Sequence, residues 1–89
     1  MAYVNRNTSR SQGGRFLAGS KTKPDLHEIG ARIRKLRGDI FQEEMADYLG
    51  ISQGHLSKIE RGKGAPTIET LFLLSARFRK SIDWILRGE

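Results

Sequence analysis

With 89 residues, no cysteine and a hydrophobic share of 37%, the chain has material for one small core, no disulfide and no thiolate metal site. No run of apolar residues approaches the eighteen or so that span a bilayer, and the start lacks the apolar stretch of a secretory signal, so no membrane partner and a cytoplasmic location are expected. The net charge of +6 is unevenly placed: residues 1–24 carry five basic side chains and no acid, whereas residues 25–89 carry eleven basic against ten acidic ones.

Residues 1–24 (MAYVNRNTSRSQGGRFLAGSKTKP) are rich in Ser, Thr, Asn, Gly and Arg without a sustained period, and read as a flexible basic N-terminal tail ending at Pro24. Such an arm seeks a polyanion, nucleic acid or anionic lipid; the plainer alternative is a solubilising segment. Gly14 to Thr22 imitates a phosphate-binding loop. Ser20 separates Gly19 from Lys21, no apolar strand precedes and Pro24 follows, so that reading is rejected.

From Asp25 the pattern is helical. Leu26, Ile29, Ile33 and Leu36 share one face of a first helix that stops at Gly38. A second runs from about Gln42 to Leu49, with Met45, Ala46 and Leu49 inward, and turns at Gly50. The third starts after Ser52, an apt N-cap, buries Leu56 and Ile59, and ends at Gly62. Thr67, after Pro66, caps a fourth whose inward residues are predicted to be Ile68, Leu71, Leu74, Ser75 and Phe78. Ser81 caps a short fifth, Ile82 to Arg87, which packs Ile85 and Leu86 before Gly88. There is no strand signal. The expected fold class is all-α, five short helices around one core in a domain spanning residues 25–89.

Residues 42–62 are the most informative stretch: two short amphipathic helices joined by a tight turn, the second rich in polar side chains. That is the layout of a helix-turn-helix, whose second helix enters the DNA major groove. On a helical wheel with Leu56 and Ile59 inward, Gly54, Ser57, Lys58 and Arg61 face outward, and Gln53 and His55 flank them in the first turn. Glutamine can pair with adenine N6 and N7 and lysine with guanine O6 and N7; serine reads promiscuously, and His55 can donate to guanine or to a phosphate. A solvated helix face carries such residues too; the short turn and the helix before it decide for base contact. Gly54 removes a side chain where the backbone would approach a groove, although a first helical turn also tolerates glycine cheaply.

Arg37 and Glu60 stand at the borders of apolar faces on the first and third helices, and two opposite charges drawn to one core most simply pair. Gln42 opens the second helix, where backbone N–H groups favour a phosphate, and Arg61 and Lys63 can reach the adjacent DNA backbone. Catalysis finds no support. His27 and His55 lie on different helices with no acid or cysteine at ligand spacing, and Glu43 and Glu44 point apart on a helix. No metal or cofactor is implied.

Ile33-Arg-Lys-Leu-Arg37, Gln42-Glu-Glu-Met-Ala46, Leu49-Gly-Ile-Ser52, Ile59-Glu-Arg-Gly62, Pro66-Thr-Ile-Glu-Thr-Leu71 and the ending Ser81 to Glu89 together resemble the Cro/C1-type (XRE) helix-turn-helix family of transcriptional regulators. The resemblance covers about residues 26–89. It implies the five-helix repressor-like fold and operator binding, generally as a dimer on a pseudo-palindrome. It implies a phosphate contact for Gln42 and base-reading positions for Gln53, Gly54 and Lys58. His55 falls among its phosphate or base contacts, and Arg37 and Glu60 match its buried ion pair. The chain departs from the family pattern at Phe41, which replaces the usual Ser or Thr cap, and at Gly54, which removes one side-chain reader. The loop Gly38–Phe41 is also shorter than usual, and Arg79-Lys80 replace the usual Gly and apolar residue.

The leading expectation is therefore a sequence-specific DNA-binding regulator, a repressor acting on double-stranded DNA as a homodimer. Leu73 and Trp84 fall off the predicted core stripes and mark a dimer interface, unless Trp84 simply folds over its corner. Two alternatives share much of this chemistry. One is an antitoxin-like module that binds a partner toxin and regulates its own promoter; the other is a restriction–modification controller. Five bases and no acid in the tail favour DNA over a protein partner.

Overall fold

The computed structural model describes residues 23–89, and all but the last two residues of the basic segment 1–24 lie outside the described residues. Five helices follow one another: α1 (Leu26–Arg37), α2 (Gln42–Leu49), α3 (Gln53–Glu60), α4 (Ile68–Phe78) and α5 (Ile82–Arg87). Four of the five starts are fixed by a side chain. Asp25 Oδ1 accepts from the N–H groups of His27 and Glu28, and the hydroxyls of Ser52, Thr67 and Ser81 accept from His55, Thr70 and Trp84. The exception is α2, where Phe41 stands at the cap position with no side-chain hydrogen bond.

One core joins the helices. Ile29 and Ile33 of α1, Met45, Ala46 and Leu49 of α2, and Leu56 and Ile59 of α3 meet Leu71 and Leu74 of α4 and Ile85 of α5, all buried. Leu26, Leu36, Phe78 and Leu86 cover its edges. The 3.6-residue period thus placed the inward faces of α1, α2 and α3 correctly. On α4 one residue goes the other way. Ile68 is 81% exposed, and Thr70 is buried in the helix's first turn instead. Thr70 can be inside because its hydroxyl accepts from that of Thr67 at 3.2 Å, satisfying locally a group that would otherwise seek water. The partly buried Ser75 and Phe78 lie at the rim.

The connection between α2 and α3 is made by Gly50 in the left-handed region (φ 72°, ψ 28°), whose N–H closes on the carbonyls of Ala46 and Asp47. Two residues later Ser52 caps α3, so the two helices are set at a fixed angle by three residues. α3 packs on both α1 and α2. Its close approach to α1 depends on Gly30: a Cβ there would lie 2.3 Å from the Ile59 carbonyl oxygen and 2.7 Å from that of Glu60. At the α4–α5 corner Arg79 takes a left-handed conformation (φ 57°, ψ 39°), the geometry that a glycine adopts without cost. Lys80 lies over the Trp84 ring at 4.8 Å.

Candidate nucleic-acid interface

Helix α3 turns two faces in opposite directions. Leu56 and Ile59 are fully buried, while Gln53, Gly54, His55, Lys58 and Arg61 are exposed. Ser57 is half-buried, and its hydroxyl accepts from Arg61 Nε at 3.3 Å. A Cβ built on Gly54 would meet nothing within 4 Å, so the protein's own packing does not require glycine there. Lys63, in the loop after α3, is exposed, and its N–H closes on the Lys58 carbonyl at 2.8 Å.

The inner border of α3 carries Glu60, whose side chain is 4% exposed. Arg37 Nε donates to Glu60 Oε2 at 2.7 Å and Arg37 Nη2 to Oε1 at 3.0 Å, a bidentate pair across α1 and α3. The third guanidinium nitrogen, Nη1, donates to the Ile40 carbonyl at 2.8 Å, so the short loop between α1 and α2 is folded over the same arginine. The hydrogen bond to Glu60 raises the Arg37 pKa above its ordinary value, against a smaller opposing effect of burial. A raised basic pKa stabilises the fold below the unfolded value and is lost only as pH climbs through the folded one. Both lie beyond the physiological range, so Arg37 stays charged throughout it.

Glu60 Oε1 also accepts from Gln42 Nε2 at 3.0 Å, and Gln42 Oε1 in turn accepts from Gln53 Nε2 at 3.3 Å. A continuous chain of hydrogen bonds therefore runs from the buried Arg37–Glu60 pair through the first residue of α2 to the first residue of α3. The sequence pattern pairs Arg37 with Glu60 and puts Gln42 and Gln53 at helix starts. It does not disclose the links between the two pairs, which join residues 18 and 11 apart in sequence and depend on how the helices dock.

Around this network lies a shallow recess of about 420 Å³ whose walls include Arg34, Asp39, Phe41, Gln42, Ser57 and Arg61. Neither Arg34 nor Arg61 forms a salt bridge among the described residues. Leu73 and Trp84, off the predicted core stripes, are both half-buried against the core, so Trp84 does fold over its corner. The Leu73 carbonyl accepts from the Tyr48 hydroxyl at 3.2 Å. The large apolar side chains that α4 does expose are Ile68 and Phe72. No helix among the described residues is long and apolar enough to cross a membrane.

A helix-turn-helix family model, HTH_3, matches residues 31–85. Over 64 residues the chain is 38% identical to the HTH-type transcriptional activator BcrR of Enterococcus faecalis, a match covering 70% of this chain and 31% of that protein. Over 63 residues it is 41% identical to the HTH-type transcriptional regulator DicA of Escherichia coli K12, covering 68% of this chain and 47% of that one. The chain thus spans between about a third and a half of the length of these curated relatives. Among solved structures, the P22 c2 repressor in complex with synthetic operator 9T superposes with a TM-score of 0.63 at 33% identity, covering 68% of this chain and 96% of that one. The N-terminal DNA-binding domain of SinR from Bacillus subtilis superposes at 0.60 and 32% identity, covering 71% and 99%. The tight turn at Gly50, the outward polar face of α3 and these matches lead to one conclusion: the chain belongs to the Cro/C1-type helix-turn-helix family, HTH_3, a family of DNA-binding transcriptional regulators.

Proposed function

We propose that this chain is a sequence-specific transcriptional regulator that lays α3 in the major groove of an operator and works as a homodimer in the cytoplasm, without catalysis or a cofactor. The observation that carries this reading is α3 itself, locked to the core by Leu56 and Ile59 while Gln53, Gly54, His55 and Lys58 stand exposed on its other face. Repression is the simplest outcome, since an occupied operator blocks a promoter without any further surface.

Gln53 is prepared for adenine. One hydrogen of its amide is held by Gln42, which leaves Oε1 and the second N–H for the adenine N6 and N7 edge. Lys58 addresses guanine, Ser57 and His55 supply further contacts, and the bare Gly54 lets the helix backbone come close to the groove. Gln42, Arg61 and Lys63 hold phosphates, and the five basic residues of segment 1–24 add sequence-independent charge. For the second copy, Ile68 and Phe72, one turn apart on α4, supply exposed apolar surface in addition to the half-buried Leu73 and Trp84.

In vitro selection from a random duplex pool tests the reading. Enrichment of paired half-sites about 10–10.5 bp apart, or a multiple of that, is expected. A pool that stays random after repeated rounds overturns it.

A further inference from the structure

Phe41 is the most exposed large aromatic side chain among the described residues, at 78%, and it occupies the cap position of α2 without capping anything. A Ser, Thr, Asp or Asn at such a position typically contributes about 1 kcal/mol through a hydrogen bond to the helix start. Phenylalanine therefore forgoes a cap and leaves an apolar ring in water. Local folding gives no return for either, since the ring is not part of the core or of the partly buried shell around it.

Its surroundings say what would cover it. The ring lines the recess between α1, α2 and α3 together with Arg34, Asp39, Gln42, Ser57 and Arg61, Asp39 being the one lining acid without a salt bridge among the described residues. Arg34 and Arg61 carry charges that no acid among the described residues pairs with, whereas Arg37 and Glu60 neutralise each other. Gln42, the next residue, is hydrogen-bonded to the first residue of the base-facing helix, so Phe41 sits at the edge of the same surface. A ligand complementary to this place is anionic at the arginines and apolar at Phe41. A nucleic-acid strand has that alternation, phosphate followed by the carbon face of the sugar.

We propose that Phe41 packs against a deoxyribose of the DNA backbone, between phosphates held by Arg34 and Arg61. The packing rests on the DNA-binding reading above. It adds affinity without sequence information and without counterion release, since the ring is neutral.

Phe41→Ala is the direct test. Alanine caps no better than phenylalanine, so the melting temperature should stay within a degree or two of the parent. Affinity for a mixed-sequence 24-bp duplex and for a selected operator should fall by the same factor, about five-fold, as for burying roughly 40 Å² of apolar surface. The slope of log affinity against log salt should not change, whereas Arg34→Ala and Arg61→Ala should each flatten it by up to about 0.9. Phe41→Ser, which restores a cap, should raise the melting temperature and so show that the position tolerates change. Undiminished affinity in Phe41→Ala overturns the proposal, as does a loss confined to one operator sequence or a loss of self-association with DNA binding intact. Failure of the parent chain to bind any duplex at low salt would instead overturn the DNA reading itself.

Discussion

Gln42 and Glu60 are joined by a hydrogen bond of 3.0 Å that ties the first turn of α2 to the last turn of α3. The same carboxylate takes two N–H groups of Arg37, so one buried acid fixes α3, which carries the exposed Gln53, His55 and Lys58, against both of its neighbours. Specific reading of a base edge, as proposed for α3, needs side chains held to within a fraction of an ångström, and this acid holds the helix from the side opposite its exposed polar face.

Glu60→Ala should therefore be severe. It strands a guanidinium that is 14% exposed and frees Gln42 at the same time, with an expected loss of about 3–5 kcal/mol in urea denaturation. Against a typical total of about 5–15 kcal/mol, that removes a large share of the stability of so small a domain. Replacing both partners, Arg37→Met with Glu60→Leu, should cost clearly less than the sum of the two single changes, because no buried charge is then left alone.

Gly30 sets the spacing between α1 and α3. Alanine normally favours a helix interior by about 1 kcal/mol over glycine. Here the added carbon would meet two backbone carbonyls at 2.3 and 2.7 Å, which cannot move without shifting α3. Gly30→Ala is expected to lower the melting temperature despite its better helix propensity, with a net loss of about 1–3 kcal/mol.

The corner after α4 offers a change in the opposite direction. Arg79 holds a left-handed backbone with φ 57°. Arg79→Gly should stabilise the domain by roughly 0.5–1 kcal/mol, read as a rise in the urea midpoint at unchanged slope.

Much of this is legible in the sequence because the helices are short and strongly punctuated. Ser52, Thr67 and Ser81 mark starts, Gly38, Gly50 and Gly62 mark ends, and Leu56 with Ile59 point α3 inward. Phe41 and Arg79 are marked through the family resemblance, as departures from a Ser or Thr cap and from a glycine, and the structure gives their consequences: an uncapped α2 and a left-handed arginine. Three things are not. Thr70 is polar and so counts outward, yet its hydroxyl is satisfied one turn back by Thr67. Ile68, the first residue of α4, counts inward by period, but the helix axis turns it to solvent while Leu73 and Trp84 tuck against the core. The bonds from Glu60 to Gln42 and from Gln42 to Gln53 arise only when three helices dock, and no local pattern encodes them.

Removal of residues 1–24 tests whether this segment adds to affinity for DNA. These residues carry five of the chain's sixteen basic side chains and no acid. Their deletion should weaken binding to all duplexes and flatten the salt dependence by up to about 0.9 for each phosphate no longer neutralised, leaving base preference unchanged. An identical slope, measured by fluorescence anisotropy across a salt series, would make the segment a solubiliser only.

Whether the exposed face of α3 reads bases is decided by site selection run in parallel on the parent chain and Lys58→Ala. Both proteins should enrich the same half-site architecture. The variant should lose preference at a single base pair, and its specific affinity should drop by about 1–3 kcal/mol. An identical position-by-position preference in the two selections would contradict base reading by this helix.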